Sequence, residues 1–103
     1  ERYAAEYRAK REREAAMLAA GHALRCSGLN AGPGRVHVLF RKLDGSTVGY
    51  YMRSEVYDAF HWDEIATPDN YRERGAALLG CAPEEVLTDA PGDYNGAMTK
   101  RAA

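Results

Sequence analysis

The stretch RVHVLFRKLDGSTVGYYMR, Arg35 to Arg53, carries the clearest local pattern in the chain. Two runs of alternating side chains flank Leu43, Asp44 and Gly45, the pattern of an antiparallel β-hairpin. Register follows from parity. Val36, Val38 and Phe40 share a face with Val48, Tyr50 and Met52 only if paired residue numbers sum to an even value. A two-residue loop of Asp44 and Gly45 gives an odd sum and sets Phe40 against Gly49. A three-residue loop, with Gly45 left-handed in a bulge, pairs Phe40 with Val48, Val38 with Tyr50 and Val36 with Met52. The second register is the one expected. The opposite face then carries Arg35, His37, Leu39, Arg41, Thr47, Tyr51 and Arg53, a basic surface with one aromatic. An isolated hairpin is marginal in water, so helices must pack on it, and its free edges are open to another chain.

Helical sequence lies on both sides of the hairpin. From Glu1 to about Arg25 there is no proline, a single glycine and an abundance of Ala, Glu, Arg, Lys, Met and Leu. These are strong helix formers, and a long helix is expected over residues 1–27. Pairs such as Arg2 with Glu6 and Lys10 with Glu14 stand four residues apart, which suits a solvated stretch. Tyr3 and Tyr7 share a face, but Lys10 and Glu14 then fall where a heptad wants apolar residues. The front half is therefore expected to project as an arm for interaction or dimerisation. Ser27, Gly28, Asn30, Gly32, Pro33 and Gly34 read as its end and a loop.

Downstream, residues 54–88 read as short helices. Ser54 is the expected cap of one reaching about Trp62, with Val56, Tyr57 and Phe60 turned inward. Thr67, Pro68 and Asp69 supply a cap, a proline at the first helical position and an acid in the first turn of a helix ending at Leu79 before Gly80. Pro83 opens another to about Leu87, and residues 89–103 read as an irregular tail. The expected fold class is α+β, a single domain over residues 1–103. It comprises a long N-terminal helix, a two-stranded antiparallel β-hairpin and two or three short C-terminal helices.

The net charge of -1 conceals two unlike halves. Residues 1–53 hold ten Lys and Arg against five acids, and residues 54–103 hold four against ten. Such asymmetry bears on partners rather than on fold. The apolar fraction of 46% is padded by 18 alanines, and only 20 residues are Val, Ile, Leu, Met, Phe or Trp. A core this thin is expected to gain stability from a partner or from a second copy of the chain. Two cysteines do not make a disulfide scaffold, and no segment approaches the roughly 20 apolar residues that cross a bilayer. A soluble, intracellular and cytoplasmic protein is expected, with no membrane partner. The sequence begins at Glu1 without a methionine and shows no signal peptide, which leaves room for an N-terminal extension.

Several clusters invite a chemical reading. Residues 76–86, AALLGCAPEEV, resemble the core of a helix-turn-helix, with an alanine, a glycine at the turn and a valine in the second helix at that motif's spacing. The resemblance implies DNA binding. It departs from the motif at Gly75, where an apolar residue is usual, and the recognition position carries Glu84, Glu85 and Asp89, whose charge opposes phosphates. His22 and Cys26 at i and i+4 make half a metal site, with no second close pair to complete it. His61, Trp62, Asp63 and Glu64 with Cys26 or Cys81 suggest a nucleophile system, but an ordinary tryptophan at a helix end explains them as well. Gly32, Pro33 and Gly34 precede a strand, whereas phosphate-cradling glycines follow one.

No catalytic, cofactor-binding or metal residue is assigned, and the chain is not expected to be an enzyme. By elimination the expected function is a small binding module acting through protein–protein contacts, a regulator or inhibitor of the kind carried by phages and mobile elements. The candidate surface is Arg35, His37, Arg41, Lys42, Tyr51 and Arg53 on the hairpin, with Tyr3 and Tyr7 on the arm. A protein partner and a homodimer are the expected associations. The alternative is a nucleic-acid binder whose arginines meet phosphates while Tyr51 stacks on a base.

Overall fold

A computed structural model describes residues 2–91 of the chain. The N-terminal helix α1 spans Arg2–Ala19 and is followed by three strands, β1 (Leu24–Asn30), β2 (Arg35–Arg41) and β3 (Thr47–Arg53). A single turn of helix, α2 (Ser54–Tyr57), leads to α3 (Pro68–Leu79) and a 3-10 turn at Pro83–Glu85. The fold is α+β, and the strands form one antiparallel sheet in the order β1-β2-β3.

A two-stranded hairpin is therefore the wrong description: the sheet has a third strand, made from residues assigned to the end of the long helix and its loop. Two local features explain the difference. Helix α1 stops early because Gly21 takes a left-handed φ of 100°. The Gly21 amide then donates to the Leu18 carbonyl and the His22 amide to the Met17 carbonyl, both at 3.0 Å. These are the two bonds of a Schellman cap, which only a residue tolerant of positive φ completes at low cost. In β1, alternation is interrupted at Cys26. Arg25 faces Phe40 and Ser27 faces Leu39, so Cys26 is the extra residue of a bulge.

The hairpin proper forms in the register that parity requires, with Phe40 against Val48, Val38 against Tyr50 and Val36 against Met52. Its loop is Leu43, Asp44 and Gly45, with Gly45 at φ 88° and the Lys42 amide donating to the Ser46 carbonyl at 2.8 Å. The amide and hydroxyl of Ser46 both donate to Asp44 Oδ1, which holds that carboxyl below its ordinary pKa.

The first helix after the sheet is shorter than its sequence suggests. Ser54 is its first helical residue rather than its cap, and Val56 and Phe60 are buried, Phe60 by the turn that follows. Helix α3 begins and ends as its signals indicate. Thr67 Oγ1 accepts from the Asn70 amide at 3.1 Å, Pro68 is the first helical residue, and Gly80 closes the helix at φ 67°. The expected helix over Pro83 to Leu87 is only the 3-10 turn Pro83–Glu85. Of the tail, residues 92–103 lie outside the described residues.

The core lies between one face of the sheet and the helices after it. Val38, Phe40 and Met52 from the sheet meet Val56, Phe60, Tyr71, Leu79, Val86 and Leu87. Each large side chain removed from water contributes roughly 1.5–3 kcal/mol. Gly75 sits where α3 crosses the chain closely: a Cβ there would stand 2.5 Å from Val86 Cγ1 and 3.0 Å from Val56 Cγ1. The glycine that departs from the helix-turn-helix pattern is thus required by packing. Helix α1 buries no residue. The molecule extends to 50 × 28 × 23 Å, and an 18-residue helix supplies about 27 Å of length.

Candidate functional site

Helices cover one face of the sheet, and the register fixes what the other face presents. His37 stands between Leu29 of β1 and Tyr51 of β3, and Leu39 between Ser27 and Gly49. The rings of His37 and Tyr51 lie 4.4 Å apart at 36°. Gly49 makes room for them, since a Cβ at that position would be 2.6 Å from His37 Nε2 and 3.0 Å from Leu39 Cδ2. Leu29 is 59% exposed, and His37, Leu39 and Tyr51 are half-buried. The Cys26 thiol, in the bulge, approaches the Leu39 carbonyl at 3.5 Å. Gly49→Ala is expected to push the imidazole off Tyr51 at a cost of about 1–3 kcal/mol. Loss of the ring-current shift on His37 and a lowered urea midpoint would report the two effects.

Charged residues frame this centre. Arg35 and Arg53 face each other at one end, a like-charged pair that would be unfavourable alone. Arg53 is drawn away from solvent: its guanidinium pairs with Glu55, its side chain is 14% exposed, and its buried Nη1 has no hydrogen-bond partner among the described residues. Arg35 donates to the Pro91 carbonyl at 3.4 Å. Arg41, Lys42 and Thr47 are exposed at the other end.

Of the residues singled out in the sequence, Arg35, His37, Arg41, Tyr51 and Arg53 belong to one face, and Lys42 to the turn beside it. Tyr3 and Tyr7 are elsewhere, on α1, 80% and 53% exposed, with Tyr7 Oη accepting from Arg11 Nη1 at 3.0 Å. The second half of α1 flanks the sheet corner, where Arg11, Glu14, Ala15 and Leu18 line a cleft of about 260 Å³ with Leu24, Cys26 and Arg41. Leu29, Ser27 and Cys26 belong to β1, whose residues read in the sequence as the end of a helix and a loop. Pairing Leu29 with His37 and Ser27 with Leu39 by parity, past a bulge at Cys26, is the signal that points to them, together with the helix-cap signal at Gly21.

Arg25 also has a role its sequence context hides. Its Nη1 donates to Tyr71 Oη at 2.6 Å, and its Nη2 reaches the carbonyls of His61, Trp62 and Glu64 at 3.0, 3.0 and 3.1 Å. The guanidinium also lies 4.4 Å from the Trp62 ring centroid. It ties β1 to the loop between α2 and α3. Burial pushes the Tyr71 phenol above its ordinary pKa, and Arg25 partly offsets this. Within the loop, Glu64 accepts from Arg74 at 3.0 Å and from the His61 amide at 2.7 Å, which hold its carboxyl below the usual range. A depressed carboxyl contributes above its unfolded pKa and stops contributing as pH falls through its folded one. Acidification below about pH 4 is therefore expected to lower the protection factor of the His61 amide against exchange, and Glu64→Gln to remove that pH dependence.

The other clusters do not assemble. His22 lies in the loop after α1 and Cys26 in β1, so they share no helix face. Among the described residues no group of three His, Cys, Asp or Glu is placed to hold a metal ion. His61 and Asp63 are exposed and 3.6 Å apart, and Trp62 is exposed under Arg25 rather than set into a helix end. The helix-turn-helix resemblance fails at its second helix, which is one 3-10 turn. The ion pairs among the described residues join residues two to four apart, except Arg74 with Glu64, and Arg53 with Glu55 spans the boundary between the basic and acidic halves. No helix among the described residues is long and apolar enough to cross a membrane. No family model, no curated protein and no solved structure matches this chain.

Proposed function

We propose that the chain is a protein-binding module whose docking surface is the face of its sheet that no helix covers among the described residues. The observation that carries this reading is the His37 imidazole, set over Gly49 and tilted against the Tyr51 ring, beside exposed Leu29, on a face with charges only at its ends. An aromatic and aliphatic centre with a polar rim is the anatomy of protein interfaces. Three strands of seven residues cover a footprint of roughly 300 Å², below the roughly 800 Å² that each partner gives to a standard interface. The projecting α1, with Tyr3 and Tyr7, supplies further surface. A regulator or inhibitor acts in this way, by occupying a site on its partner, and a second copy of the chain is one such partner. Nucleic acid is less well supported, because Glu55 already neutralises Arg53 and Arg35 bonds to the Pro91 carbonyl.

The test is co-purification from the native host, with wild type compared with Leu29→Glu and His37→Glu. A protein that survives nuclease and is lost with either variant is the expected result. Retention that vanishes with nuclease, and that falls steeply as salt rises, would assign the face to nucleic acid instead.

A further inference from the structure

Among the described residues each outer edge of the sheet is paired only in part. On β3, Tyr51 exchanges backbone bonds with Thr88, its amide donating at 2.8 Å and the Thr88 amide returning one at 3.1 Å. On β1, only the first part of the outer edge is used: the Arg25 amide donates to the Ala66 carbonyl at 2.9 Å. Beyond the bulge, the Ala31 amide bonds to Arg35 and Leu29 faces His37, so alternation turns the amides and carbonyls of Gly28 and Asn30 outward. Among the described residues no backbone group pairs with them.

A groove of about 650 Å³ runs along this edge, between β1, the turn at Gly32, Pro33 and Gly34, and α2. Its floor is built by Gly28, whose missing side chain admits Tyr57: a Cβ there would be 2.6 Å from the Tyr57 hydroxyl. Asp58, exposed on the far wall, is the groove's one charged residue, and no cation partners it among the described residues. Outward amides and carbonyls repeating every second residue are matched by extended backbone, not by a compact small molecule. The isolated carboxylate selects a positive side chain. Pairing of β1 with β1 of a second copy about a two-fold axis would instead bring two Asp58 carboxylates to the same side of one seam.

We propose that the β1 edge at Gly28 and Asn30 accepts an extended, basic segment of a partner protein as a fourth strand, with a Lys or Arg reaching Asp58. Side chains of the added strand that point the other way lie beside Leu29. This site stands on the strand edge and the groove, separately from the reading of the open face.

The test uses the full chain as bait for a phage-displayed library of random peptides. Enriched peptides should alternate and carry Lys or Arg on one parity. A synthetic copy of the best should slow amide exchange at Gly28 and Asn30. Asn30→Pro, which removes an outward donor, and Asp58→Lys, an exposed charge reversal that keeps the fold intact, should each weaken binding by about tenfold or more, 1.4 kcal/mol. His37→Glu should leave peptide binding unchanged, so that failure of the open-face reading is seen separately, in capture of the host partner. An absence of enriched peptides, binding indifferent to both edge variants, or Gly28 and Asn30 amides already protected in a dimer of the free protein would each overturn the proposal.

Discussion

Tyr71→Ala is expected to remove about 3–5 kcal/mol of stability, the cost of emptying a fully buried aromatic site. Tyr71 is the largest fully buried side chain. Its ring meets Phe40 edge-on at 5.8 Å and Phe60 at 4.3 Å, so it joins sheet, α3 and the turn after α2 in one contact. A small domain has about 5–15 kcal/mol in total, and this one has few large apolar residues, so most of the cooperative transition should be lost. Tyr71→Phe keeps the ring and gives up only the hydrogen bond from the charged Arg25, for about 1.5–3 kcal/mol. Urea unfolding followed by Trp62 fluorescence separates the two: equal losses would mean that the hydroxyl, not the packing, dominates.

Arg25→Ala is expected to cost about 2–3 kcal/mol, the range for charged hydrogen bonds to partly buried groups. The truncation leaves the Tyr71 hydroxyl and three loop carbonyls without their donor. Lysine should not restore the loss, because a single ammonium cannot spread over four acceptors as a planar fork does. The side chain is partly exposed, so water repairs some of these bonds and the effect stays below that of Tyr71→Ala. Trp62 should lose the cation above it, and its emission should shift even in the folded protein. In combination with Tyr71→Phe the two losses should not add, since both remove the same 2.6 Å bond. Additive losses would show that Arg25 acts only through the loop carbonyls.

These two residues also mark what could be read from the sequence and what could not. The hairpin was legible because its alternation is unbroken and Leu43, Asp44 and Gly45 admit one register that puts both apolar sets together. Helix α3 was legible because Thr67, Pro68 and Gly80 are strong end signals with local causes. Strand β1 was not. Residues LRCSGLN combine poor strand formers with a bulge, which breaks the parity that betrays a strand, and the preceding alanine-rich run invites the helix to continue. The one contrary sign was Gly21, which is tolerable inside a helix but better used at its C-terminal cap.

The candidate surface inherits the same division. Arg35, His37, Arg41 and Tyr51 follow from the hairpin register, and they do share a face. Leu29, which puts an exposed apolar side chain beside His37, comes from the strand that was hidden. That Arg53 is partly withdrawn by Glu55 depends on how the chain turns from β3 into α2, which spacing alone does not reveal.

The proposed contact joins this face of the sheet to a protein partner. Its most direct test is photo-crosslinking in the native host, with benzoylphenylalanine placed singly at Tyr51 on the open face and at Leu78, exposed on the helical side. A discrete protein adduct is expected from position 51 and none from position 78. Adducts from position 78 alone, or a nuclease-sensitive adduct from position 51, would contradict it.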